Sequence, residues 1–125
     1  MPRILIIDDD AGVLTTLACM LEANDHDVVC TVSAREGLRL LSEEKSFDLV
    51  ITDILMPDMD GIEVIREIRK LDSPPPVLGI SGGGNMIAAN DALAAARIIA
   101  DLTLKKPFTI DELNGALTSV LKTVH

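Results

Sequence analysis

Acidic residues close two short apolar runs of this chain in a pattern that suits metal and phosphoryl chemistry. Asp8-Asp9-Asp10 follows Ile4 to Ile7, and Asp53 follows Leu49 to Thr52. Two later runs end in Ser81-Gly82 and in Lys105-Lys106-Pro107. If these ends share a pocket, Asp8, Asp9 and Asp53 bring three negative charges close together, and these must be neutralised or raise a carboxylate pKa. A divalent cation supplies two positive charges and a lysine the third. The donors are all oxygens, with no His or Cys nearby in sequence, so the set favours Mg²⁺ with waters completing its octahedron. A carboxylate attacks phosphorus poorly until the incoming phosphoryl oxygens are neutralised, and a cation with a lysine forms such a clamp.

Bringing those residues together requires a particular set of elements. Ile4 to Ile7, Val28 to Val32, Leu49 to Thr52, Val77 to Ile80 and Leu102 to Leu104 are short apolar runs without strict alternation, which suits strands of a parallel sheet buried on both faces. Five segments of helical period alternate with them. Val13, Leu14, Leu17, Met20 and Leu21 share one stripe. Ser33-Ala34-Arg35-Glu36 reads as a capping box opening a second helix that buries Ala34, Leu38 and Leu41. Ile62, Ile65 and Ile68 line a third helix, and an Ala-rich fourth runs from about Met86 to Ile99. Thr109-Ile110-Asp111-Glu112 is a second capping box, ahead of a fifth helix with Leu113, Leu117, Val120 and Leu121 inward. The pattern is (βα)₅, an α/β fold. In an open parallel sheet ligands bind at the carboxyl ends of the strands, where all the residues above stand.

Composition narrows the function classes. At 125 residues the chain makes one domain, long enough to bury roughly two thirds of its unfolded surface without disulfides or structural metals. A net charge of −9 argues against direct binding to nucleic acid or anionic membranes. No apolar stretch approaches a membrane span or a signal-peptide core, so a cytoplasmic location is expected. Phe47 and Phe108 are the only aromatic residues, which leaves little for stacking on bases. Cys19 and Cys30 lie in apolar contexts without metal-ligand spacing and are expected to be buried reduced thiols. Ser73-Pro74-Pro75-Pro76 is expected to be a stiff loop feeding the fourth strand, not a domain linker.

Several polar residues have bland readings. Asp10 suits a helix start better than a metal site. Asp58 and Asp60 belong to a Pro-Asp-Met-Asp-Gly turn, Met56 and Met59 to packing, and His26 and His125 to solvent. Gly82-Gly83-Gly84 lacks the Lys-Ser/Thr that a nucleotide P-loop needs. Neighbouring strand residues face opposite ways, so only one of Lys105 and Lys106 enters the pocket.

Asp8-Asp9, Asp53-Ile54-Leu55-Met56-Pro57-Asp58-Met59-Asp60-Gly61, Ser81-Gly82 and Lys106-Pro107-Phe108 together resemble the receiver domain of two-component response regulators, and the resemblance runs the length of the chain. It implies a flavodoxin-like doubly wound fold of strand order 2-1-3-4-5. It also implies a transient aspartyl phosphate on Asp53, taken from a sensor histidine kinase or histidine phosphotransfer protein. Asp9 and Asp53 would ligate Mg²⁺ directly, Asp8 mainly through metal-bound water, and Leu55 through its backbone carbonyl. The Ser81 hydroxyl, the Gly82 amide and the Lys106 ammonium would meet phosphoryl oxygens, with a cis peptide before Pro107 aiming the lysine.

One departure from that pattern concerns the switch. The family commonly carries Tyr or Phe three residues before the pocket lysine, and this chain has Thr103. The Ser81 half of the switch remains, beside an unusually permissive glycine loop. The expectation is a stand-alone phosphoacceptor module, not an enzyme in its own right, that acts through an unknown output partner as a monomer or weak homodimer. Two alternatives stay open. One is an aspartate-nucleophile phosphohydrolase of haloacid-dehalogenase type, suggested by the Asp-x-Asp within Asp8-Asp9-Asp10. The other is a degenerate receiver that binds partners without phosphorylation.

Overall fold

The computed structural model describes residues 2–44, 46–54, 61–81, 102–105 and 108–124. Five parallel strands, β1 (Arg3–Ile7), β2 (Asp27–Thr31), β3 (Leu49–Asp53), β4 (Val77–Ser81) and β5 (Leu102–Lys105), form one sheet of order β2-β1-β3-β4-β5. The helices described are α1 (Ala11–Glu22), α2 (Ala34–Glu43), α3 (Gly61–Arg69) and α4 (Ile110–Val124). The last of these is the fifth helix of the sequence pattern; the helix expected from about Met86 to Ile99 lies outside the described residues.

Alternation along the strands sorts the core into two layers. Ile4, Ile6, Ile51, Leu78 and Ile80 pack with Leu14, Leu17 and Leu21 of α1 and Leu113, Leu117 and Val120 of α4. Leu5, Ile7, Val50 and Ile54 pack on the other side with Ala34 and Leu41 of α2 and Val64, Ile65 and Ile68 of α3. Each fully buried Leu or Ile stabilises this arrangement by roughly 1.5–3 kcal/mol. β3 is buried along its whole length. β2 is not, because it is an edge strand whose residues are exposed or half-buried, and Val32 leaves the sheet 53% exposed. The expectation of five strands buried on both faces therefore fails for β2.

The two capping boxes differ. At α4 the box is complete, with the Glu112 N–H donating to Thr109 Oγ1 at 3.1 Å and the Thr109 N–H to Glu112 Oε1 at 3.0 Å. At α2 only half of it forms. Ser33 Oγ accepts from the Glu36 N–H at 3.2 Å, but the Ser33 N–H goes to Thr31 Oγ1 and the Glu36 carboxylate to Arg39. A guanidinium one turn along the helix outcompetes a main-chain amide for the carboxylate, and it holds the Glu36 carboxyl below its ordinary range. Leu38 is half-buried; Gly37 takes the innermost place on α2 beside Ala34 and Leu41.

Both cysteines are free and exposed, contrary to the expectation of burial. Cys19 lies on the side of α1 away from the Leu14, Leu17 and Leu21 stripe, and Cys30 lies on the edge strand. Partial burial, then the Glu22 carboxylate, pushes the Cys30 thiol up from its ordinary value. His26 is likewise not fully solvated, since it is half-buried with its Nδ1 enclosed and without a hydrogen-bond partner among the described residues.

Candidate functional site

The sheet register brings the acidic residues together. Ile7 pairs with Thr52 across β1 and β3, so the residues that follow, Asp8 and Asp53, emerge side by side at the carboxyl end of the two innermost strands. Carboxylate oxygens of Asp8, Asp9 and Asp53 lie within 4.8 Å of one another. Asp8 is 1% exposed, Asp53 7% exposed, and Asp9 stands open to solvent. Charged carboxylates this deep need compensation, and an all-oxygen set of three fits a hard divalent cation in number and kind.

Backbone groups orient two members of the aspartate run. Asp8 Oδ1 accepts from the Asp10 N–H at 2.9 Å, and the Asp8 N–H donates to the Thr31 carbonyl at 3.2 Å, tying the site to the end of β2. Asp10 turns to the helix instead, its Oδ1 accepting from the N–H groups of Gly12 at 2.8 Å and Val13 at 3.3 Å as the N-cap of α1. The helix-start reading of Asp10 is therefore correct.

The other expected site residues follow the same register. Asp53 pairs with Ile80, so Ser81 stands one residue further along β4 at the same end of the sheet. Ser81 pairs in turn with Lys105, the last residue of β5, and Gly79 with Thr103. Leu55, Gly82, Lys106 and Pro107 lie outside the described residues, as do Asp58, Asp60, Met56, Met59 and His125.

One polar residue of this region was not singled out in the sequence. Thr52 is fully buried, and its Oγ1 donates to the Asp53 carbonyl at 3.1 Å. The signal was present, since a hydroxyl interrupts an otherwise aliphatic run at the position before Asp53. A cavity of about 240 Å³ lies at the opposite end of the sheet, between the carboxyl ends of α2 and α3, with Leu41, Phe47, Leu71 and Pro75 among its lining.

Comparison with known proteins agrees with this geometry. The family model described as the response regulator receiver domain matches residues 4–118. The chain is 37% identical over 120 residues to the transcriptional regulatory protein GlrR of Escherichia coli K12, covering 96% of this chain and 26% of that protein. It is 33% identical over 121 residues to the transcriptional regulatory protein PrrA of Mycobacterium tuberculosis, covering 97% of this chain and 50% of that protein. The chain thus spans between a quarter and a half of these curated relatives. Among solved structures, a response regulator receiver domain protein from Clostridium thermocellum superposes with a TM-score of 0.87 at 32% identity, covering 99% of this chain and 97% of that one. A CheY-like receiver domain protein from Methanospirillum hungatei gives 0.84 at 29% identity, over 98% and 95%. With the family matched across nearly its whole length and three carboxylates gathered where the inner strands end, this chain belongs to the response regulator receiver domains of two-component signalling.

Proposed function

We propose that residues 1–125 act as one receiver domain that takes a phosphoryl group onto Asp53. The donor is the phosphohistidine of a sensor histidine kinase or histidine phosphotransfer protein. An Asp53 carboxylate oxygen attacks phosphorus, the P–N bond breaks, and the electron pair leaves with the imidazole nitrogen. The observation that carries this reading is the position of Asp53, at the end of the fully buried β3 with its carboxylate within 4.8 Å of those of Asp8 and Asp9. Asp9 and Asp53 would hold Mg²⁺ directly, with Asp8 acting through bound water and the Leu55 carbonyl completing the protein ligands. When bound, the cation neutralises phosphoryl oxygens.

Ser81, at the end of β4, and Gly82, next in sequence, donate to the phosphoryl group, and Lys106 supplies the remaining positive charge, aimed by a cis peptide before Pro107. Phosphorylation changes the affinity of a partner protein at the surface of a cytoplasmic domain that is a monomer or weak homodimer. GlrR and PrrA carry names of transcriptional regulatory proteins. By that analogy the output of this domain is control of transcription, through a partner or a further domain and not through DNA contacts by this domain, whose net charge is −9.

Incubation with acetyl phosphate and Mg²⁺ tests the reading. Intact-mass spectrometry should show one added phosphoryl group, stable in acid and labile in base, and none on Asp53→Asn. Equal labelling of both proteins would rule out Asp53 as the acceptor. Turnover of a generic aryl phosphate would point instead to the phosphohydrolase reading.

A further inference from the structure

We propose that Thr52 is a positioning residue for the acceptor, its buried hydroxyl fixing the peptide group through which Asp53 enters the acidic cluster. The proposal rests on the reading of Asp53 given above. Thr52 is 0% exposed, and the residues two before and two after it, Val50 and Ile54, belong to the aliphatic layer between the sheet and the α2–α3 pair. Valine has the same shape and would fill this place without a polar atom, whereas a buried hydroxyl is costly unless it is hydrogen-bonded.

The bond it makes has a specific geometry. Thr52 Oγ1 donates to the Asp53 carbonyl at 3.1 Å. The nitrogen of that same peptide group, the Ile54 N–H, donates to the Ile80 carbonyl at 2.9 Å. The plane joining Asp53 to Ile54 is therefore held at its oxygen from within β3 and at its nitrogen from β4. Losing that bond loosens the plane, and a rotation there changes ψ of Asp53 and redirects its Cα–Cβ bond. Mg²⁺ demands near-octahedral ligand placement, so a small rotation of one ligand weakens the whole set.

Thr52→Val and Thr52→Ser separate this role from packing. Mg²⁺ affinity is measured by titration calorimetry, and exchange of the Ile54 amide is measured in the metal-free protein against the Val50 amide of β3, which donates to the Pro76 carbonyl just before β4. In Thr52→Val, Mg²⁺ binding should weaken about fivefold, equivalent to about 1 kcal/mol at 1.36 kcal/mol per decade. Ile54 should exchange faster relative to Val50, labelling of Asp53 should slow, and the melting temperature should hold or rise. Thr52→Ser keeps the hydroxyl and should stay near wild type in Mg²⁺ affinity and Ile54 exchange while melting lower for the lost methyl group. Wild-type Mg²⁺ affinity and Ile54 exchange in Thr52→Val overturns the proposal. A serine variant that falls as far as the valine one also overturns it, because packing then explains the effect. Neither readout needs a phosphorylated protein, so a wild type that fails to label would sink the acceptor reading while this test stands.

Discussion

Three consecutive aspartates do three different things. Asp8 is buried and bonded to a backbone amide, Asp9 is exposed beside it, and Asp10 caps a helix. Of the carboxylates in the cluster, Asp9 has the most freedom to lose its charge without leaving a buried group unpaired. Asp9→Asn should therefore relieve repulsion and stabilise the metal-free protein by on the order of 0.5 kcal/mol, as befits a solvent-screened charge. Mg²⁺ at ten times its Kd should stabilise wild type by about 1.4 kcal/mol through mass action, and the variant should gain much less at the same concentration. Thermal unfolding with and without Mg²⁺ checks both. A variant that melts lower in both conditions would make Asp9 a structural residue.

At the scale of elements, strand register and helix seating align the site. α2 seats against β1 through Gly37, where an added Cβ would stand 2.5 Å from Ile7 Cδ1 and 2.8 Å from its Cγ1. Ile7 is fully buried and immediately precedes Asp8, so it has nowhere to retreat without disturbing the end of β1. Gly37→Ala gains up to about 1 kcal/mol in helix propensity, but overpacking of this kind costs about 1–3 kcal/mol, and net destabilisation is expected. Ile7→Val removes the Cδ1 atom and should offset part of that loss when combined with Gly37→Ala. Urea unfolding of the two single variants and the double variant measures the coupling, which should be favourable by about 0.5 kcal/mol or more. Additive losses would show that the helix simply shifts outward.

Across the whole molecule the two poles of the sheet are built differently. The amino-terminal pole is tied by Arg3, whose guanidinium sits 4.5 Å from the Phe47 ring centroid and reaches Asp27 and Glu44, while its backbone N–H donates to Asp48. The carboxyl-terminal pole carries the acidic cluster, where a change of ligand state must be felt. With Thr103 in place of an aromatic residue, the proposed contacts of Ser81, Gly82 and Lys106 with the phosphoryl group would supply the free energy that distinguishes the two states. Hydrogen exchange with and without beryllofluoride should then show added protection concentrated in residues 82–90, with little change across Leu102 to Leu104. Ser81→Ala should diminish that response. Equal changes in β5 and in residues 82–90 would contradict this account of the switch.

Legible in the sequence alone were the α/β order of the described elements, their strands to within a residue or two, the Thr109 cap and the Asp53 motif. Each of these is written locally, in apolar runs, capping spacings and turn chemistry. The resemblance carried by the motifs also pointed to the strand order. Exposure was decided only by the tertiary structure. β2 reads as apolar as β1, yet it is half-exposed with Cys30 because it lies at the sheet edge. Gly37 takes an inward place on α2 because Ile7 of β1 lies directly beneath it. Thr52 looked like one more β-branched strand residue until its hydroxyl met the carbonyl of Asp53 inside an aliphatic layer. Which faces are covered depends on neighbours distant in sequence, and these are brought together only by the sheet register and the helices packed on it.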